Sequence, residues 1–151
     1  MSQDKRNITT VATRRRMFKD KKYWFTSNAI KSTYDGKWSN TLYLHFAKED
    51  FPMIKSPNLK PCDWGEMKQR FDYSESVLNG IEFHKGITFY EETRIVDLEK
   101  TFVKVGCDYQ HYMDDHYQLD DNGEMLLGNT ADELAKQFEA LVLRLNKDTK
   151  E

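Results

Sequence analysis

The chain has 151 residues, enough for one domain with a hydrophobic core and too few for two domains of ordinary size. Its net charge is −2, and 38% of its residues are hydrophobic, with an aromatic share of 13% that can supply a core of large rings. There is no run of about 18 apolar residues, so we expect no membrane-spanning helix. Cys62 and Cys107 lack a CxxC spacing, which argues against a disulfide framework and a structural zinc knuckle.

The charges are distributed unevenly along the chain. Residues 1–22 carry eight Lys or Arg against two Asp, whereas residues 108–124 carry six acids and no base. Because residues 1–17 are polar and lack an apolar repeat, we expect a flexible basic segment there, followed by a single domain over 18–147. This segment could contact nucleic acid, but short basic N-termini are more commonly solvated, so nucleic acid is not the favoured partner. The absence of a secretory-signal pattern favours a cytoplasmic protein.

The first predicted element of the domain is a β-hairpin. Aromatic and apolar residues over about 22–27 and 38–46 favour two strands, and Asp35 with Gly36 between them is a turn signal. The stretch 51–64 then holds all three prolines, which disfavour both sheet hydrogen bonds and helix, so it is predicted to be a loop.

Two helices are predicted, one in the middle of the chain and one near its end. A capping box beginning at Asp63, followed by apolar residues near a 3.6-residue period, predicts a helix over Trp64–Leu78. A second capping box beginning at Thr130 precedes an amphipathic helix over Ala131–Leu145. The apolar stripe of that helix consists of Leu134, Phe138, Leu141, Val142 and Leu145.

Two further strands are predicted between these helices. Residues 81–90 alternate between apolar and polar side chains, with His84 and Thr88 on the polar side, and residues 101–108 alternate in the same way. The whole pattern predicts an α+β domain, in which an antiparallel sheet of about four to six strands is covered on one face by two helices.

Side chains that can bind a ligand or take part in a reaction are concentrated in residues 106–117, GCDYQHYMDDHY. This stretch holds three acids, two histidines and a cysteine. If the two strands before and within this stretch are neighbours in one sheet, their polar groups could converge at one edge. Each such residue alone is more commonly a solvated surface group, so the hypothesis depends on the set. The predicted ligand-binding residues are His84, Thr88, Asp108, His111 and Asp114.

Two kinds of site fit these residue types. Imidazole and carboxylate ligands suit a divalent metal such as zinc, iron or manganese, and His84, Asp108 and His111 are the expected ligands. Alternatively His84, Thr88 and either Lys85 or Lys104 would donate hydrogen bonds to the oxygens of a phosphate.

Two short elements resemble a family of small uncharacterised proteins from phage and prophage genomes. The family carries His-Gly-Gly-Leu-Thr and, after an insert, Gly-Phe-Asp-x-x-His-x-Gly-Asp. This chain keeps three positions of the first element, with Lys85 in place of a glycine, and four of the second, with Cys107 in place of phenylalanine and Met113 in place of a glycine. The matching positions are His84, Gly86, Thr88, Gly106, Asp108, His111 and Asp114.

The resemblance implies a viral origin and carries no known activity. We therefore expect a small phage protein in the cytoplasm of the host cell that binds a host protein or a nucleotide signal and inhibits a host defence system or the host machinery. The alternative is a small metal-dependent hydrolase that uses the histidine and aspartate cluster, so that both a binding protein and an enzyme stay open.

Overall fold

The computed structural model describes residues 8–32, 38–64, 67–84, 86–108, 128 and 130–149. These residues form a five-stranded sheet, a two-stranded sheet and one α-helix, with short 3-10 turns between them. The strands are β1 (Ile8–Met17), β2 (Tyr23–Ser32), β3 (Trp38–Ala47), β4 (Leu59–Trp64), β5 (Met67–Phe71), β6 (Phe89–Ile95) and β7 (Lys100–Asp108), and the helix is α1 (Ala131–Thr149). The 3-10 turns are Lys48–Asp50, Tyr73–Glu75, Val77–Gly80 and Val96–Leu98.

The larger sheet has the strand order β1-β2-β3-β7-β6, and every neighbouring pair is antiparallel. The three strands from the first third of the chain thus join the later β6–β7 hairpin through the pairing of β3 with β7. In this pairing Thr41 of β3 lies opposite Asp108 of β7, and Ala47 lies opposite Phe102. The predicted antiparallel sheet of four to six strands is confirmed.

Alternation along the strands divides the sheet into two faces. On the three central strands one face, called the inner face, carries large apolar side chains that are at most 2% exposed, whereas the large side chains of the opposite, outer face are only half-buried. The buried inner-face side chains of the three central strands are Tyr23, Phe25, Leu42, Leu44, Phe46, Val103, Val105 and Cys107.

Helix α1 packs on the inner face through the apolar stripe that the sequence predicts. Phe138 is fully buried, and its ring centroid lies 5.0 Å from that of Tyr23, 5.4 Å from that of Phe46 and 5.1 Å from that of Phe51. The closing helix is therefore confirmed, and it continues to Thr149. Aromatic packing at these separations favours tilted and edge-to-face geometry, which this group of rings adopts.

The predicted helix over Trp64–Leu78 is wrong. Its first part forms β5, which pairs with β4 as a hairpin with Leu59 opposite Phe71, and its last part forms two 3-10 turns. Only two residues separate the strands and one is a glycine, which is a hairpin signal that outweighs the helical repeat. The side chain of Ser76 caps the second turn by accepting a 3.0 Å hydrogen bond from the N–H of Leu78.

The alternating stretch 81–88 is not a strand. Ile81, Phe83 and Ile87 are buried, as the alternation predicts, but none of the described strands pairs with them. The backbone forms local turns instead: the N–H of Gly86 donates to the carbonyl of Phe83 at 2.9 Å, and Gly86 adopts a φ of 87° that suits glycine. The strand prediction holds only from Phe89 onward.

Residues 8–17 differ from the flexible segment that their composition predicts. They form β1, which pairs with β2 and contains a bulge between Thr10 and Ala12. Arg16 makes a 2.9 Å ion pair with Asp132 of α1. An edge strand needs only one neighbour and can expose polar side chains, so a polar segment is compatible with this position.

Replacing Phe138 with alanine should lower the free energy of unfolding by about 3–5 kcal/mol, because a buried ring is lost from the centre of the core. Urea denaturation followed by circular dichroism measures this change. The matched control is Leu143→Ala on the same helix, whose side chain is 63% exposed, and it should change stability little. A loss below about 1 kcal/mol for Phe138→Ala would contradict the packing of α1 on this face.

Candidate functional site

The two elements that carry the sequence-predicted site are neighbours in the sheet. The backbone N–H of Thr88 donates to the carbonyl of Gly106 at 2.9 Å, and Phe89 lies opposite Gly106 in the register. Because β6 and β7 are antiparallel, the start of one meets the end of the other, and Asp108 is the last residue of β7. The backbone of Thr88 therefore lies two positions from Asp108 along this edge, while His84 is half-buried in the turns before β6.

The rest of that site lies outside the described residues. This applies to Lys85, His111 and Asp114, and to the side chain of Asp108. Among the side chains that the structure describes, no three His, Cys, Asp or Glu are placed to hold a metal ion. The metal set of His84, Asp108 and His111 therefore stays a prediction, and so does the five-residue ligand set.

A group of rings around a lysine lies on the outer face, directly beside the Thr88–Gly106 contact. Tyr43 and Phe89 both lie opposite Gly106, one from each side, and their ring centroids are 5.3 Å apart. The Nζ of Lys104 lies 4.6 Å from the ring centroid of Tyr43 and 5.3 Å from that of Phe89, which is cation–π distance for both rings. We call Tyr43, Phe89 and Lys104 the lysine cluster.

Gly106 makes this cluster geometrically feasible. A Cβ built on it would lie 2.0 Å from the carbonyl oxygen of Leu42 and 2.8 Å from the Cα of Tyr43, far inside van der Waals contact. The glycine therefore allows the close approach of β3 and β7, and it leaves room over its Cα for the two rings to meet.

A second group of rings lies two residues further along β3. The indole of Trp24 stacks on the imidazole of His45, with centroids 5.3 Å apart and an interplanar angle of 3°, and it lies 6.0 Å from the ring of Phe102. The Nε2 of His45 is 2.7 Å from the hydroxyl oxygen of Thr26. We call Trp24, His45 and Phe102 the tryptophan cluster.

Electrostatics keep the histidine of this cluster neutral. Burial, together with the positive charges of Lys104 and Arg15, lowers the pKa of His45 from its ordinary value of 6.5 to about 4. Lys104 lies directly opposite His45 in the register. The outer face therefore has neutral rings at neutral pH, with positive charge nearby from Lys104 and Arg15. Glu91 of the neighbouring strand β6 lies opposite Lys104.

A separate cavity of about 420 Å³ opens between α1 and the start of β2. Its polar groups are paired with one another, since Lys21 lies 3.4 Å from Glu139, and Lys22 lies 3.7 Å from Asp50. The phenol of Tyr23 also donates to Glu139, and burial together with this carboxylate raises its pKa. These mutual pairs make the cavity a weaker candidate for a charged ligand than the outer face.

No function was predicted from the sequence for the rings of the outer face. Of the residues in the two clusters, only Lys104 was predicted to bind a ligand, as an alternative to Lys85 in donating to a phosphate. The signal that could have found them is the alternation in YWFT and LYLHF, which places a ring on the polar side of both strands. Several aromatic residues side by side on the polar face of a sheet form a contiguous apolar patch, and such patches commonly mark interaction surfaces.

No protein-family model, curated protein or solved structure matches this chain. The resemblance to the phage family therefore stays a prediction. Among the described residues, no helix is both long and apolar enough to cross a membrane.

Replacing Gly106 with alanine should destabilise the protein by at least about 1–3 kcal/mol, because the added Cβ forces β3 and β7 apart. Thermal or urea unfolding measures the loss. Gly80→Ala is the matched control, since a Cβ there would meet its nearest neighbour, the Cδ1 of Leu141, at an ordinary 3.7 Å. Equal stability of the two variants would contradict the close approach at Gly106.

The lowered pKa of His45 predicts a specific dependence of stability on pH. The folded state favours the neutral ring, so the contribution of His45 is complete above pH 6.5 and is lost as the pH falls from 6.5 through about 4. NMR titration should give a pKa near 4 for His45, and His45→Gln should remove this part of the acid sensitivity. A measured pKa near 6.5 would show that the ring is neither buried nor close to the two cations.

Proposed function

We propose that this protein binds a nucleotide ligand on the outer face of its sheet, with the base on the aromatic rings and the phosphate at Lys104. The single observation that carries the proposal is the lysine cluster, in which one ammonium group lies over two half-buried rings. A nucleotide combines a flat aromatic base with an anionic phosphate, and these are the two chemistries that rings and a lysine bind.

Nucleotide binding would replace the cation–π contact of Lys104 with two stronger contacts, which are base stacking on the rings and a hydrogen bond to the phosphate. The cation–π contact of Lys104 contributes about 0.5–1 kcal/mol at a site of this exposure. A base that stacks on the rings contributes about 1–3 kcal/mol. The displaced ammonium then donates to the phosphate, and a hydrogen bond between charged groups contributes about 1.5–3 kcal/mol. The two new contacts together exceed the one that is lost, and this surplus offsets part of the free-energy cost of association.

The charge distribution favours a compact ligand over a long polyanion. Lys104 and Arg15 supply positive charge, but Glu91 lies opposite Lys104, and the acidic stretch of residues 108–124 begins where β7 ends. A nucleic acid strand that continued across this edge would meet the carboxylate of Glu91, whereas a small nucleotide needs only the cations near the rings.

Together with the resemblance to phage proteins, this proposal gives the protein a biological role. It would act in the cytoplasm of the host as a phage-encoded inhibitor that sequesters a nucleotide signal and so blunts a host defence system. Sequestration requires tight binding and no chemistry, which agrees with a site built from rings and one cation.

Isothermal titration calorimetry at low ionic strength with 5′-nucleoside monophosphates and diphosphates tests the proposal. At least one of these nucleotides should bind, and both Lys104→Gln and Tyr43→Leu should weaken its binding at least tenfold, because each removes one of the two contacts. Lys147→Gln is the matched control, since it removes the same charge from an exposed position on α1. Unchanged affinity in Lys104→Gln, or no binding of any nucleotide in the panel, would refute the proposal.

A further inference from the structure

The outer face carries two ring clusters, whereas a mononucleotide has one base. We propose that the ligand is a dinucleotide, with one base on the lysine cluster, the other on the tryptophan cluster, and the linking phosphodiester at Lys104. This inference rests on the proposed function and deepens it by naming the ligand class.

The spacing of the clusters fits two bases that are splayed apart. Tyr43 and His45 belong to different clusters and are two residues apart on the same face of β3, which is about 6.6 Å along the strand. Bases stacked in one nucleic acid strand are about 3.4 Å apart. The spacing of the two clusters therefore matches a ligand whose bases are unstacked, which is how sheet surfaces bind single-stranded nucleotides.

Lys104 lies between the two clusters. Its ammonium contacts the ring of Tyr43, whereas its backbone lies opposite His45 and its strand carries Phe102 two residues away. A phosphodiester that joins the two bases would occupy the same central position. Lys104 then supplies one central cation for the one linking phosphate.

The tryptophan cluster suits a base because its histidine is neutral and fixed. His45 stacks in parallel on Trp24 and is held at 2.7 Å from the hydroxyl of Thr26, so the flat surface is already formed before the ligand binds. Arg15 lies opposite Thr26 in the pairing of β1 with β2, and it places a second cation at the outer edge of this cluster.

Calorimetric titration with ligands of increasing length tests the inference. The probes are 5′-AMP, the linear dinucleotide ApA, cyclic diadenylate and the hexamer A6, together with the same series of guanine. In the series that binds, we expect the linear or the cyclic dinucleotide to bind at least tenfold more tightly than the mononucleotide, and the hexamer to bind no more tightly than the better dinucleotide. A hexamer that binds tenfold more tightly would overturn the inference and indicate a nucleic acid surface.

Variants of the tryptophan cluster separate this inference from the proposed function. Trp24→Leu and Phe102→Leu keep apolar bulk but remove the flat rings, so each should reduce dinucleotide affinity at least tenfold more than it reduces mononucleotide affinity. Two separate variants keep the test informative if one of them fails to fold. If mononucleotides bind in a Lys104-dependent way and dinucleotides bind no better, the inference fails and the proposed function stands. If none of the probes binds, both fail.

Discussion

The pairing of β3 with β7 is the contact on which the rest of the structure depends. It is the only link in the described sheet between the first three strands and the β6–β7 hairpin. Its inner side contributes Leu44 and Val105 to the core beneath α1, and its outer side sets Tyr43 beside Lys104. The same register therefore fixes both the hydrophobic core and the candidate binding face, and neither can shift without the other.

Alternation made the central part of this sheet predictable. The strands around Phe25, Leu44 and Val105 each bury every second residue, so the sequence predicts both the strands and the residues of the core. The closing helix was predictable for a similar reason, because its 3.6-residue stripe and its capping residues agree with each other. In these elements local preference and tertiary packing favour the same structure.

The elements that the sequence analysis missed are those in which two local signals compete. Residues over Trp64–Leu78 fit a helical repeat, but a two-residue connection with glycine favours a hairpin, and the hairpin forms. Residues 81–88 alternate like a strand, yet alternation reports only which side chains are buried and not whether a partner strand exists. The polar segment before Met17 forms an edge strand because pairing with β2 supplies hydrogen bonds that composition cannot indicate.

Only a small part of the candidate site could be predicted from the sequence. The sequence predicted Thr88, with either Lys85 or Lys104, as donors to a phosphate, and the backbone of Thr88 contacts Gly106, which lies opposite both Tyr43 and Phe89. The rings of Tyr43 and Phe89 could not be inferred as a pair, because they come from strands that are neighbours of β7 and not of each other.

Gly106 connects the fold to this face. Any larger residue would place its Cβ against the backbone of Leu42, so the glycine is required for the register of the sheet. The same missing side chain opens the gap through which Tyr43 and Phe89 approach to 5.3 Å across the intervening strand. A constraint imposed by backbone packing therefore also brings together the paired rings over which Lys104 lies, and with them the candidate binding face.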